Sequence, residues 1–128
     1  MPDNDGLAVL RDEIRSYYAG FGQPASLRTA LREAALLVPL TDDDRLFLLR
    51  SGGLRWLCAF TTIEEYARYT MARATMTEGG VAADRQYRYH TFWGARLLAY
   101  TERQEDPTGI AVDIAGRAPM AFPPNVME

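Results

Sequence analysis

The spacing of hydrophobic residues along the chain predicts its secondary structure. Near the N-terminus, apolar residues recur at steps of three and four, which predicts an amphipathic helix over residues 6–19 that ends at Gly20. Its apolar stripe consists of Leu7, Leu10, Ile14, Tyr17 and Phe21. Pro24 then interrupts the chain, and Ser26 is a suitable N-cap for a second, shorter amphipathic helix. Two helices are therefore expected before the first strand.

Continuous apolar runs predict the next strands. Residues 36–40 form one run, and Pro39 restricts it to a sheet edge or a strand end because proline cannot donate to a strand ladder. Residues 45–50 and 54–60 flank a glycine loop at 51–53, which predicts a β-hairpin at the centre of the sheet. The second hairpin strand is apolar on both faces, as is typical of a strand covered on both sides.

A strong helix-start signal follows this strand. Thr61 and Thr62 each stand three residues before a glutamate, Glu64 or Glu65, so either threonine can close a capping box. The remaining pattern predicts a helix from 62 to about 74, a loop at 75–86, a strand at 87–92, a helix at 94–103, a turn at 106–109, a strand at 110–114 and a proline-stiffened tail.

This order of elements predicts a single α+β domain with a mixed central β-sheet that contains the hairpin and is flanked by about four helices. The chain has 128 residues, of which 48% are hydrophobic and 24% charged, as in ordinary globular domains. No apolar run approaches the ~20 residues that cross a bilayer, and the acidic N-terminus lacks a secretory signal pattern. We therefore expect a cytoplasmic protein without a membrane partner.

The charge of the chain disfavours nucleic acid as a partner. All 14 basic residues are arginine, yet the 17 acidic residues leave a net charge of −3. Nucleic-acid-binding domains usually carry an excess of basic residues on one face.

Few residues could support catalysis or hold a metal. The chain has one cysteine and one histidine, and a Cys58/His90 dyad is the sharpest catalytic hypothesis. Cys58 stands in mid-strand, however, where a buried structural thiol is the simpler interpretation. The carboxylates at 42–44 are consecutive and lack the alternation and glycine of a calcium loop. The sequence thus predicts no enzyme, no cofactor and no metal site.

The segment 85–93 interleaves arginines with aromatic residues, a composition that suits stacking on bases beside phosphates. An alternating strand explains the same pattern, with Tyr87 and Tyr89 on one face and Arg88, His90 and Phe92 on the other. A small-ligand or single-stranded nucleic-acid binding module that uses this segment is therefore the alternative function.

Three segments resemble the SseB family: VPL at 38–40, AFTTIEEYARY at 59–69, and WGARLL with GIAVDIAGRAPMAFPP between 93 and 124. The resemblance implies a family core at 26–124, preceded by an N-terminal helix extension at 1–25 and followed by a tail at 125–128. Some actinobacterial relatives are associated with type VII secretion, which implies an adaptor role. Where family members place a proline after the aspartate of the last strand, this chain has Asp113-Ile114.

The expected function is therefore that of a non-enzymatic protein-interaction or adaptor domain. The first helix either packs on its own sheet or joins a second copy of the chain in a homodimer. The residues predicted to contact a protein partner are Leu10, Ile14, Tyr17, Tyr87, Arg88, Tyr89, Trp93 and Phe122.

Overall fold

The computed structural model describes residues 5–41, 45–75 and 88–124. In these ranges the elements are α1 (Asp5–Tyr18), α2 (Pro24–Arg32), β1 (Ala35–Pro39), β2 (Leu48–Ser51), β3 (Leu54–Ala59), α3 (Ile63–Thr75), β4 (Tyr89–Trp93), α4 (Gly94–Glu102), β5 (Thr108–Val112) and β6 (Met120–Phe122). The carboxylates at 42–44 and most of the predicted loop at 75–86 lie outside the described residues. The chain is an α+β domain, as predicted.

The larger sheet is mixed and has the strand order β2-β3-β5-β6. β3 and β5 run parallel, whereas β2 and β6 are antiparallel to their neighbours. The predicted hairpin joins β2 to β3, and Gly52 and Gly53 have the positive φ angles of 62° and 80° that its tight turn requires. Of the two hairpin strands, only β3 lies in the interior of the sheet, whereas β2 is an edge strand, so the prediction that the whole hairpin is central was wrong for β2.

β1 and β4 form a separate antiparallel pair. A bridge joins this pair to the end of β3, because Leu37 and Phe60 exchange backbone hydrogen bonds with N···O distances of 2.9 and 2.8 Å. The two sheets are thus connected at the point where β3 leads into α3.

The sheet is covered on both faces, as the apolarity of β3 predicted. Leu57 and Ala59 belong to a core that includes buried residues of α1, α2 and α4, whereas Cys58 and Phe60 pack with Tyr66 of α3. Adjacent strand residues point to opposite faces, so this division places three helices on one side and α3 on the other. Cys58 has no exposed surface, which confirms the prediction of a buried thiol.

The end of α2 and the start of α4 are in backbone contact. The Gly94 N–H donates to the Ala34 carbonyl at 2.8 Å, and a Cβ on Gly94 would lie 1.7 Å from the Leu31 carbonyl oxygen. Only glycine allows this approach.

Two boundary predictions were wrong. Pro24 begins α2 at its first helical position, where a missing N–H costs nothing, so Ser26 is not the N-cap. The last strand predicted at 110–114 is β5, which ends at Val112 because Asp113 turns the chain with φ 51°. The tail beyond it contributes β6, antiparallel to β5, between flanking prolines.

Candidate functional site

Polar side chains collect where the parallel strands β3 and β5 end. β3 is followed by Thr61 and the start of α3, and β5 is followed directly by Asp113. Parallel strands end at the same edge of a sheet, and in α/β folds this edge is the usual place for a ligand. The topology therefore makes Thr61, the start of α3 and Asp113 the first candidates for a ligand site.

Asp113 ties the two strand ends together. Its Oδ1 accepts from the Thr61 N–H at 2.9 Å, and its Oδ2 accepts from the Thr61 hydroxyl at 2.7 Å. Its own N–H donates to the Ala59 carbonyl at 3.0 Å. Its left-handed φ of 51° is a conformation that aspartate tolerates better than most residues. Both carboxylate oxygens are therefore engaged within the protein.

Thr62 is the N-cap of α3. Its hydroxyl oxygen accepts from the Glu65 N–H at 3.1 Å, which confirms Thr62 as the N-cap. The reciprocal bond of the predicted capping box is not formed, because the Glu65 side chain turns to Arg68 instead of the Thr62 N–H. Glu65 Oε1 accepts from Arg68 at 2.8 Å. Glu65 Oε2 is buried without a hydrogen-bond partner in the described part of the chain, and a Cβ on Gly116 would lie 2.2 Å from it. The turn after β5 thus covers this carboxylate.

A cleft of about 680 Å³ opens beside these groups, between α1, the first turns of α3 and the segment that joins β5 to β6. We call it the arginine cleft. Its lining consists of Arg11, Ile14, Arg15, Tyr18, Thr61, Glu65, Arg68, Asp113, Arg117 and Ala118. Four guanidinium groups face two carboxylates here, so the lining is positive although the whole chain has a net charge of −3. Its size is in the range of small-ligand sites.

The arginines of the cleft differ in their partners. Arg15 pairs with Asp12 at 3.0 Å on the exposed surface, and Arg68 pairs with Glu65. Arg11 donates to the Thr61 hydroxyl oxygen at a long 3.4 Å. Among the described residues, neither Arg11 nor Arg117 forms an ion pair. These two guanidinium groups are therefore the ones best placed to receive an anion.

The structure separates the hypothetical catalytic dyad. Cys58 is fully buried beneath α3, whereas His90 is exposed on β4, in the other sheet. A substrate that reaches the histidine has no access to the thiol, so the geometry gives the dyad no support.

Several predicted partner-binding residues are buried. Leu10 and Ile14 pack in the core, so this part of the α1 stripe is covered by the domain itself, whereas Tyr17 and Phe21 at its end are exposed. Phe122 is buried because β6 turns it toward the core, opposite Ile110. The prediction that Leu10, Ile14 and Phe122 form a contact surface was wrong.

The other predicted residues are exposed or lie outside the described ranges. Tyr17, Arg88, Tyr89 and Trp93 are exposed, and the ring of Tyr89 meets that of buried Tyr66 edge-on at 5.8 Å. Tyr87 lies outside the described residues. Arg88, Tyr89 and Trp93 do not line the arginine cleft, whereas Tyr17 lies beside Tyr18, which does.

The sequence did not predict the cleft, nor the part that Tyr18 plays in the neighbouring aromatic ridge, which we define as Tyr17, Tyr18 and Phe21. These side chains are 50%, 55% and 79% exposed. Tyr18 also lines the cleft, and its hydroxyl donates to the Pro119 carbonyl. The only available sequence signal was an aspartate directly after a buried strand, at Asp113.

Comparisons with known proteins leave the family open. No family model matches the chain, no curated protein matches it, and no solved structure matches it. The resemblance to the SseB family therefore stays a prediction. None of the helices in the described ranges has the length and apolar character needed to cross a membrane.

Proposed function

We propose that this domain is a non-enzymatic binding module that takes an anionic ligand in the arginine cleft. The observation that carries the proposal is the convergence of four arginines at the carboxyl ends of β3 and β5 in an otherwise acidic protein. A small-ligand binding module was the alternative function predicted from the sequence. The prediction placed its site in segment 85–93, whereas the arginines of the cleft lie elsewhere in the chain.

The chemistry of the cleft favours anions over cations. Asp113 uses both oxygens for Thr61, and Glu65 has one oxygen on Arg68 and the other buried. A cationic ligand would find little free acceptor capacity in this lining. An anion would meet guanidinium groups, which present several donors in a fixed plane and keep their charge at all ordinary pH values.

The expected affinity for a small anion is modest. Charge-assisted hydrogen bonds contribute roughly 1.5–3 kcal/mol each, but association costs several kcal/mol and the exposed arginines are screened by water. Two such contacts contribute roughly 3–6 kcal/mol before these costs, and a Kd of 1 mM already requires about 4 kcal/mol, so an isolated anion should bind with a Kd of about 1 mM or weaker. A larger ligand that carries the anion would bind more tightly.

Amide chemical shifts during titration with sodium sulfate at constant ionic strength test this proposal. We expect saturable shifts at Thr61 and Gly116, and the variant Arg11→Gln/Arg117→Gln should bind at least tenfold more weakly. Arg50→Gln/Arg96→Gln is the matched control, because both residues are exposed, carry the same charge and do not line the cleft. Equal weakening in the control, or shifts without saturation, would refute a specific site.

A second candidate is the adaptor function expected from the SseB resemblance. That resemblance implies an adaptor that serves a type VII secretion system, and the sequence predicts a cytoplasmic protein. The specific support for the adaptor function is the aromatic ridge, since large exposed aromatic side chains are enriched at protein interfaces. Because Tyr18 belongs to both features, a protein partner could cover the ridge and place an acidic group in the cleft.

A photocrosslinking amino acid at position 21 tests the adaptor proposal in the native host. Phe21 is 79% exposed, so the replacement should not disturb the fold. A discrete crosslinked protein is expected at this position and not at position 103, an exposed site at the end of α4. Absence of any crosslink at position 21 would contradict the adaptor function, and a crosslink to the chain itself would indicate the homodimer.

A further inference from the structure

We propose that the group recognised by the arginine cleft is the dianionic phosphoryl group of a phosphomonoester. This inference rests on the proposed function and names its ligand class. The two lining arginines without an ion pair, the hydrogen-bonding capacity of the lining and the approach of its arginines from different segments each support the assignment.

The charge of the lining matches a dianion. Arg15 and Arg68 are compensated by ion pairs with Asp12 and Glu65. Asp113 directs both oxygens to Thr61, so the guanidinium groups of Arg11 and Arg117 are the two lining cations without an ion pair among the described residues. A carboxylate or a phosphodiester carries one negative charge for these two groups. A phosphomonoester carries about −1.5 to −2 at pH 7, because its second pKa is near 6, and therefore matches both.

The hydrogen-bonding capacity of the lining matches a ligand that only accepts. The Thr61 hydroxyl donates to Asp113, and the Tyr18 hydroxyl donates to the Pro119 carbonyl, so neither proton is available. Since both carboxylates are engaged or covered, the groups that remain are the N–H donors of the arginines. A phosphoryl group offers three strong acceptor oxygens and needs no acceptor in return.

The arginines approach from different segments of the chain. Arg11 and Arg15 belong to α1, Arg68 to α3, and Arg117 to the segment between β5 and β6. A terminal phosphoryl group exposes three oxygens and suits donors from several directions. A phosphodiester exposes only two unesterified oxygens, so the arrangement favours a terminal phosphate over a nucleic-acid backbone.

The proposal has a characteristic pH dependence. The ionisable lining groups of α1, α3 and the β5–β6 segment are the four arginines, Glu65, Asp113 and Tyr18. The chain's single histidine, His90, lies on β4 and does not line the cleft. Histidine is the only side chain whose ordinary titration falls between pH 5 and 8. Any change of affinity in this range should therefore follow the ionisation of the ligand.

Titrations with methyl phosphate, dimethyl phosphate and acetate, followed by amide chemical shifts at constant ionic strength, test the inference. Methyl phosphate should bind about tenfold more tightly at pH 7.5 than at pH 5.0, following its second ionisation near pH 6. Dimethyl phosphate and acetate should bind at least tenfold more weakly than methyl phosphate at pH 7.5. Their affinity should change less than twofold between the two pH values.

Equal binding of methyl phosphate and dimethyl phosphate at pH 7.5, or a methyl phosphate affinity that is flat with pH, would overturn the phosphomonoester assignment while leaving an anion site in place. Failure of sulfate and of all three probes to bind would instead refute the proposed function itself. The variant Arg11→Gln/Arg117→Gln should lose the pH dependence, and a retained dependence would also contradict the assignment. Its amide spectrum reports whether the variant is folded.

Two sources of the phosphomonoester can be distinguished in the same assay. A glucose 6-phosphate affinity above that of methyl phosphate would indicate a small metabolite. A phosphoserine peptide that binds more tightly than methyl phosphate would indicate a modified protein. Either result supports the phosphomonoester, whereas equal binding of the peptide with unmodified serine would contradict it.

Discussion

Replacement of Asp113 should separate the two tasks of this residue, which are to accept two hydrogen bonds from Thr61 and to turn the chain. Asp113→Gly removes the carboxylate but suits the positive φ of 51°. It deprives the Thr61 N–H and hydroxyl of charged acceptors at 2.9 and 2.7 Å, and Thr61 is buried. Each such bond contributes roughly 1.5–3 kcal/mol, and Asp113 is partly exposed, so the lower end applies and the loss should be about 3 kcal/mol.

The magnitude can be measured by urea unfolding. With a slope of about 2 kcal/mol per M, a loss of about 3 kcal/mol lowers the urea midpoint by about 1.5 M. Asp113→Ala should cost about 1 kcal/mol more, because alanine resists the left-handed conformation. In a double-mutant cycle with Thr61→Val, the two losses should not add, since both variants remove the same hydroxyl contact. A midpoint for Asp113→Gly within about 0.3 M of the parent, or strict additivity in the cycle, would refute this account.

Three further predictions concern other parts of the fold. Gly94→Ala should lower the free energy of unfolding by at least about 2 kcal/mol in thermal melts, because its Cβ would lie 1.7 Å from the Leu31 carbonyl oxygen. Cys58 should react with a thiol reagent at least about 100-fold more slowly in native buffer than in denaturant, since it is fully buried. Gly116→Ala should push the Glu65 carboxylate toward the cleft and weaken sulfate binding at least threefold, with a stability loss below about 1 kcal/mol.

Each of these predictions has a clear contrary result. Gly52→Asn is the control for Gly94, because no atom lies within 4 Å of its added Cβ and asparagine tolerates the positive φ. Equal losses in both variants would show that the close contact at Gly94 has no special cost. Fast labelling of Cys58 would show that the core opens readily. Unchanged sulfate affinity in Gly116→Ala would show that Glu65 does not control the charge of the cleft.

The local elements of this fold could be predicted because their signals are contiguous in sequence. Thr62 caps α3 through a residue three positions away, and the hairpin turn depends on adjacent glycines. β6 has no such signal, because its three residues stand between prolines and become a strand only by pairing with β5. The burial of Phe122 follows from the same pairing, which is why it could not be foreseen.

The candidate site could not be predicted for a related reason. Arg11 and Arg15 are neighbours on α1, but Arg68 and Arg117 follow β3 and β5 and join them only in the folded chain, where these strands align in parallel. Segment 85–93 drew attention because its arginines and aromatic residues are adjacent in sequence. A search for neighbouring residues in the sequence finds segment 85–93. It does not find the cleft, because the arginines of the cleft come from distant parts of the chain.

The construction of the arginine cleft has a consequence for folding. Its walls are joined by hydrogen bonds between residues 50 and 52 positions apart, from Arg11 to Thr61 and from Thr61 to Asp113. No fragment that lacks one of these segments can assemble the cleft, so ligand affinity and global unfolding are thermodynamically linked. A ligand at ten times its Kd should stabilise the entire domain by about 1.4 kcal/mol. The melting temperature should therefore rise with ligand concentration, and a thermal-shift screen can identify the natural ligand without any assay of activity.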